Sequence, residues 1–130
     1  MSKTPDDLLY SEEHEYLKAT GEEGEYFVGI TDYAQGELGD VVFIEMPAVG
    51  DSFARMDVFG TVEAVKAVSD LFSPVACEVV ETNADVESDP SVVNSDPYGK
   101  GWLIKVRISD ESELDALLGP TEYRAHIGES

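Results

Sequence analysis

Gly60-Thr61-Val62-Glu63-Ala64-Val65-Lys66-Ala67-Val68-Ser69-Asp70 is the stretch on which the reading of this chain turns. The run from Val58 to Val65 is rich in β-branched residues and has no internal proline, so it predicts a strand. Val75 to Glu81 predicts another on the same grounds. Gly60-Thr61-Val62-Glu63 overlays Cys77-Glu78-Val79-Val80 as a weak internal repeat, with Lys66 to Pro74 as the turn of a hairpin between the two. Lys66 is the only basic residue between Arg55 and Lys100, and its neighbours are small and apolar. Two readings of it stand side by side. It is an exposed lysine that aids solubility, or it is a site where a prosthetic group is attached. Attachment needs a primary amine on a rigid support, with small neighbours such as Ala64 and Ala67 that leave it unhindered. Acylation would remove the charge, as acetylation does. A tethered group then reaches a docked partner at high effective concentration.

Outward from this stretch the chain reads as short strands separated by turn signals. Tyr26 to Thr31 and Asp40 to Glu45 are strand candidates, the second punctuated by Pro47 and Gly50. Between them Asp32 predicts the cap of a short helical turn through Tyr33-Ala34-Gln35, closed near Gly39. Asp89-Pro90 opens a short helix over Ser91-Val92-Val93. Trp102 to Ile108 alternates, with Trp102, Ile104, Val106 and Ile108 expected on one face. A helix is predicted from Ser109 or Asp110 to Gly119, with Leu114, Leu117 and Leu118 on one side, and one more helical turn or two at Thr121 to Ala125. The sum is one mainly β domain over residues 1–130, a sandwich with short peripheral helices and a C-terminal helix.

The chain of 130 residues carries 28 acidic and 8 basic side chains, a net charge of −20, with 42% hydrophobic residues. The apolar fraction supports a core. The charge repels a nucleic-acid backbone or an anionic membrane and opposes self-association, so a monomer is expected. It fits either a salt-rich cytoplasm, where screening relieves the repulsion, or an ordinary solvated acidic surface. Cys77 is the only cysteine, which leaves no internal disulfide and no thiol-rich zinc set. The N-terminal residues have no hydrophobic signal core, no apolar run reaches membrane-spanning length, and a cytoplasmic location is expected.

Several patterns resemble sites and fail on chemistry. Asp85-Val86-Glu87-Ser88-Asp89-Pro90, with Asp96, spaces acids like a calcium loop, but Pro90 stands where the sharp turn needs glycine, and Asp96 replaces the bidentate glutamate. Gly99-Lys100-Gly101 lacks the rest of a phosphate loop, and His14-Glu15 lacks the second histidine of a zinc hydrolase helix. Cys77 has no histidine near it in sequence, so its expected role is a small buried residue.

Together the segments resemble the H protein of the glycine cleavage system. The residues that carry the likeness are His14-Glu15, Val28 to Gln35, Leu38 to Phe43, Val62 to Asp70, Ser73-Pro74-Val75, Val92 to Tyr98 and Gly101-Trp102, in that order from Tyr10 to Tyr123. The resemblance implies a lipoyl/biotinyl-type sandwich of two antiparallel sheets related by a pseudo-two-fold, with Lys66 at a hairpin tip carrying lipoate in amide linkage. It implies a non-catalytic carrier that takes an aminomethyl group from the P protein, a pyridoxal-phosphate-dependent glycine decarboxylase. The group passes to the T protein, a folate-dependent aminomethyltransferase, and electrons pass to NAD through the L protein, a flavin-containing dihydrolipoamide dehydrogenase. A lipoate-attaching enzyme is a further implied partner. The loaded arm is expected to fold into a cleft near Glu15, Tyr33 and Asp70, whose acids would hold a cationic amine. For Glu15 and Asp70 a helix cap or a solvated acid is the competing reading. The chain departs from the family at Tyr16, often tryptophan, at Tyr33, often histidine, and at Cys77, usually glycine. Cysteine there is expected in ordinary extended backbone, not at positive φ. Other readings are an H-like protein that relays lipoyl or octanoyl groups to other lipoyl domains, and an acidic protein-binding module that is never modified. The Val65-Lys66-Ala67 context lacks the methionines that flank a biotinyl lysine.

Overall fold

The computed structural model describes residues 3–128. Its nine strands are β1 (Leu9–Tyr10), β2 (Glu15–Ala19), β3 (Glu25–Ile30), β4 (Val41–Glu45), β5 (Ser52–Phe53), β6 (Val58–Ala64), β7 (Val68–Phe72), β8 (Cys77–Thr82) and β9 (Ile104–Ile108). The helices are α1 (Asp32–Leu38), α2 (Ala84–Ser88), α3 (Val92–Ser95) and α4 (Pro120–His126), with a 3₁₀ turn at Glu111–Ala116. One sheet runs β1-β2-β3-β9-β8-β5 and the other β4-β6-β7, with every pairing antiparallel. This is the mainly β sandwich with short helices that the sequence predicts.

Alternation along the strands builds the core. Val28 and Ile30 of β3, Ile104 and Val106 of β9, and Cys77 and Val79 of β8 turn inward from the large sheet. Ile44, Val62 and Leu71 meet them from the small one. Each such aliphatic side chain stabilises the fold by about 2 kcal/mol through its burial. A second cluster, Leu8, Tyr10, Tyr16 and Tyr123, packs α4 against β1 and β2.

The structure revises several expected boundaries. Lys66 to Pro74 is not a turn between β6 and β8. Val68–Phe72 is itself a strand paired to β6, with Val62 opposite Ser69, while β8 lies in the other sheet. Leu71, 1% exposed, needs that strand to enter the core. The tip contracts to Val65-Lys66-Ala67. The cap of α1 is Thr31, whose side chain accepts from Ala34 N at 3.2 Å. Asp32 is instead the first helical residue and accepts from Gln35 Nε2.

The helix expected to end at Gly119 is a 3₁₀ turn capped by Asp110. Leu118 leaves it to pair with Tyr10 through hydrogen bonds of 2.7 and 2.8 Å, and Gly119 begins α4 ahead of Pro120. Leu114 and Leu117 pack on the main core and Leu118 on the tyrosine cluster, so the three do not share a face. Trp102 precedes β9 and packs on Phe27, the registered partner of Lys105. It thus takes the outer face, opposite Ile104 and Val106. The described residues include no helix long and apolar enough to cross a membrane.

Candidate functional site

The tip that presents Lys66 is tied down by backbone on three sides. Ala64 N donates to Ala67 O at 2.9 Å and closes the turn. Val65 N donates to Asp40 O and Lys66 N to Leu38 O, at 2.9 and 3.1 Å, joining the tip to the link between α1 and β4. Asn94 of α3 braces that link from below. Its Nδ2 donates to Gly39 O and Gln35 Oε1, and its Oδ1 accepts from Val41 N at 2.8 Å. Gly39 has φ 80°, open to glycine at little steric cost. The aliphatic stem of Lys66 lies over it, so close that a Cβ there would stand 3.2 Å from Lys66 Cγ. The lysine is exposed, as are Val65 and Val68 beside it. Among the described residues its amine makes no ion pair, although the surface is crowded with carboxylates.

A cleft of about 270 Å³ opens next to the tip, where Leu38 both lines it and accepts from Lys66 N. Glu15, Tyr33 and Asp70, from β2, α1 and β7, all line it. The structure therefore gathers the three residues expected to share a site. Glu15 is 1% exposed and, among the described residues, forms no ion pair. Its Oε1 accepts from Ser11 Oγ at 2.6 Å and its Oε2 from Phe72 N at 3.2 Å. Burial pushes its pKa up to about 8, against the smaller lowering effect of those hydrogen bonds. It is neither a helix cap nor a solvated acid. Asp70 is exposed on β7, opposite Thr61. The Tyr33 ring lies 5.1 Å from that of His14.

Three further lining residues escaped the sequence reading. Glu37 stands one helical turn after Tyr33, so the helical spacing held a signal for it. Glu13 lies outside β2, ahead of the left-handed backbone at His14, and no periodicity marks it. His14 had no such signal. Its φ of 74° and the 2.8 Å hydrogen bond between its Nδ1 and Tyr123 Oη, across 109 residues of sequence, come from tertiary structure. Cys77 lies elsewhere. It is 2% exposed in β8, outside the positive-φ residues, with its thiol 3.4 Å from Ser73 Oγ, and burial pushes its pKa up. Cysteine at this position thus sits in ordinary strand backbone, as expected, and does not line the cleft.

An amine held on a stiff tip beside a cleft with four carboxyl side chains can carry an arm and receive a cationic group at the arm's end. The chain is similar to known proteins over nearly its whole length. The family described as Glycine cleavage H-protein matches residues 8–130. The Glycine cleavage system H protein of Carboxydothermus hydrogenoformans is 56% identical over 129 residues, covering 99% of this chain and 98% of that protein. The protein of the same name from Staphylococcus haemolyticus is 51% identical over 125 residues, covering 96% and 98%. The crystal structure of a glycine cleavage system H protein from Mycobacterium marinum superposes with a TM-score of 0.82 at 36% identity, over 95% of this chain and 98% of that one.

Proposed function

The chain belongs to the glycine cleavage H-protein family and has its lipoyl-type fold; from that premise we propose that it is the lipoyl carrier of a glycine cleavage system, acylated on Lys66. The observation that carries the reading is the exposed, ion-pair-free amine of Lys66 on a tip whose backbone is anchored to Asp40 and Leu38. Lys66 would hold lipoate in amide linkage, and the dithiolane of that group would supply the disulfide chemistry by which one carrier serves the P, T and L proteins: its two-electron reduction as it opens to take up the aminomethyl group of glycine, and the return of those electrons to the L protein.

The residues of this chain bind and shelter; apart from the amide at Lys66, none of them forms or breaks a bond to the arm or to the group it carries. Gly39 and the tip hold the stem of Lys66, so that the arm swings from a fixed point. Leu38, Ile30 and Leu71 give the cleft an apolar floor that excludes water. Glu15 holds its proton while the cleft is free of a cation, because burial disfavours its charge. An ammonium brought beside it stabilises the carboxylate, so Glu15 ionises and pairs with it as the proton leaves to solvent. Asp70 and Glu37 add charge at the mouth. With its large negative charge the chain works as a monomer, in the cytoplasm, as a single carrier domain over residues 1–130. It visits its three enzymes and a lipoate-attaching enzyme in turn.

Intact-mass measurement of protein from cells able to lipoylate is expected to show one lipoyl addition, placed on Lys66 by peptide mapping. Lys66→Arg is expected to abolish both the addition and glycine cleavage. Activity retained by that variant would defeat the carrier reading in favour of an unmodified binding module.

A further inference from the structure

Tyr123 lies at the middle of α4, fully buried, its ring stacked on Tyr10 with 4.6 Å between centroids. Its hydroxyl stands 2.8 Å from His14 Nδ1 and 2.7 Å from Thr31 Oγ1. These two neighbours belong to different walls of the cleft. His14 precedes Glu15, and Thr31 caps the helix that carries Tyr33 and Glu37. Counting protons settles the direction of the chain of hydrogen bonds. The Thr31 hydroxyl is 0% exposed and accepts from Ala34 N. Among the described residues, its own proton has only Tyr123 Oη to go to, and a buried hydroxyl that does not donate is costly. Thr31 therefore donates to Tyr123, and Tyr123 donates its single proton to His14 Nδ1. A nitrogen that accepts cannot carry the hydrogen, so the neutral ring carries it on Nε2.

The backbone holds the ring in place. His14 N donates to Ser11 O, and His14 O accepts from Thr31 N. His14 lines the cleft, and its Nδ1 is taken up by buried Tyr123. Among the described residues, Nε2 has no hydrogen-bond partner.

We propose that Tyr123 is a positioning residue for the cleft: it holds His14 as the neutral Nε2–H tautomer, so that this wall offers an uncharged donor and leaves its carboxylates to a cationic guest. The groups that face His14 are Glu13 and Glu15 on its own segment, Tyr33 and Glu37 on α1, His126 and Tyr123 on α4, and Asp70 across the cleft. The Glu13 and Glu37 carboxylates favour an imidazolium, while burial and His126 oppose it more strongly. The bond from Tyr123 acts in the same direction as burial, because protonation at Nδ1 would reverse the whole chain. An imidazolium here would compete with an ammonium for the same carboxylates. The role in guest retention rests on the carrier reading; the tautomer does not.

The test begins on the full, unmodified chain, with ¹⁵N-labelled histidine. His14 is assigned by loss of its signals in His14→Asn, a residue that tolerates the left-handed backbone. Near neutral pH its Nδ1 is expected in the unprotonated range and its Nε2 in the protonated range. In Tyr123→Phe, which keeps the stack on Tyr10, the two shifts are expected to move toward each other and the His14 titration midpoint to rise. Wild-type His14 that is Nδ1-protonated or cationic at neutral pH overturns the proposal, as does a midpoint unchanged in Tyr123→Phe. On the lipoylated chain loaded with its one-carbon group, Tyr123→Phe is expected to lose that group about two- to tenfold faster, the range one hydrogen bond corresponds to. An unchanged rate overturns the positioning role. A chain that is never lipoylated defeats the carrier reading instead, and the tautomer measurement still decides the fixed state of His14.

Discussion

Glu15 shows how one residue's environment outweighs its ordinary chemistry. Free glutamate is ionised at neutral pH, yet this one sits 1% exposed with no ion pair among the described residues, and its pKa rises to about 8. The sign of the linked stability follows. Between the unfolded value near 4.5 and the folded value near 8 the native chain holds a proton that the unfolded chain has lost. Its contribution is therefore full below about 4.5, declines as pH rises through that window, and levels off above 8. Glu15→Gln removes this slope. In urea unfolding at a series of pH values, the stability of the variant relative to wild type is expected to climb between pH 5 and 8 and then stay flat. A difference independent of pH would mean that Glu15 ionises normally. Met56 offers a simpler residue-scale test. It holds φ 70° in the turn where Asp57 N donates to Ala54 O, and it is exposed. Left-handed backbone strains any residue with a Cβ, and β-branched ones most. Met56→Gly is expected to be neutral or to stabilise by about 0.5 kcal/mol, after the entropy glycine adds to the unfolded state, and Met56→Val to cost about 1 kcal/mol or more. Chemical denaturation of the pair reads both.

Among the elements, the tip of β6 and β7 depends on a helix that lies distant in sequence. Asn94 of α3 uses its amide three times, on Gln35, Gly39 and Val41, and so braces the segment to which Val65 and Lys66 are bonded. Asn94→Ala leaves the Val41 N–H and the Gly39 carbonyl without those partners, at a cost of about 2 kcal/mol. Its distinguishing signature is local. Amide hydrogen exchange at Val65 and Lys66 is expected to speed up more than exchange in β9, whose pairing with β3 and β8 does not involve Asn94. Uniform acceleration would show that Asn94 acts on global stability alone. Five of the nine strands, β3, β4, β6, β8 and β9, were legible in sequence, because apolar and β-branched runs mark them; β1, β2 and β5 carry no such run and were missed. β7 was missed too, since Ser69 and Asp70 break its apolar pattern and Leu71 alone marks its inner face. The Ser109–Gly119 segment failed for a related reason. Its leucines have helical spacing, but the backbone of Leu118 bonds to Tyr10 instead, and that pairing cannot be seen from either residue alone.

For the molecule as a whole, charge is the dominant long-range term. A net charge of −20 on 130 residues repels itself. Among the described residues, the ion pairs that offset it are few and lie at or near the surface: Lys105 with Glu25 and Glu81, Arg107 with Glu25, and Arg124 with Asp6. Added salt shortens the screening length from about 10 Å at 0.1 M to about 3 Å at 1 M. The melting temperature is therefore expected to rise by several degrees between low and molar sodium chloride. A fall on adding salt would mean that these pairs outweigh the repulsion.

Composition, alternation and turn residues by themselves determined that the chain is a mainly β sandwich with an exposed lysine between two valine-rich runs. Those properties are local or additive, and a linear string holds them in full. Only the tertiary structure decided that Glu15 is buried, that Asn94 braces the tip, and that Tyr123 reaches His14. Each of these depends on which side chains meet groups distant in sequence, and that is set by the packing of the two sheets and the helices on a shared core.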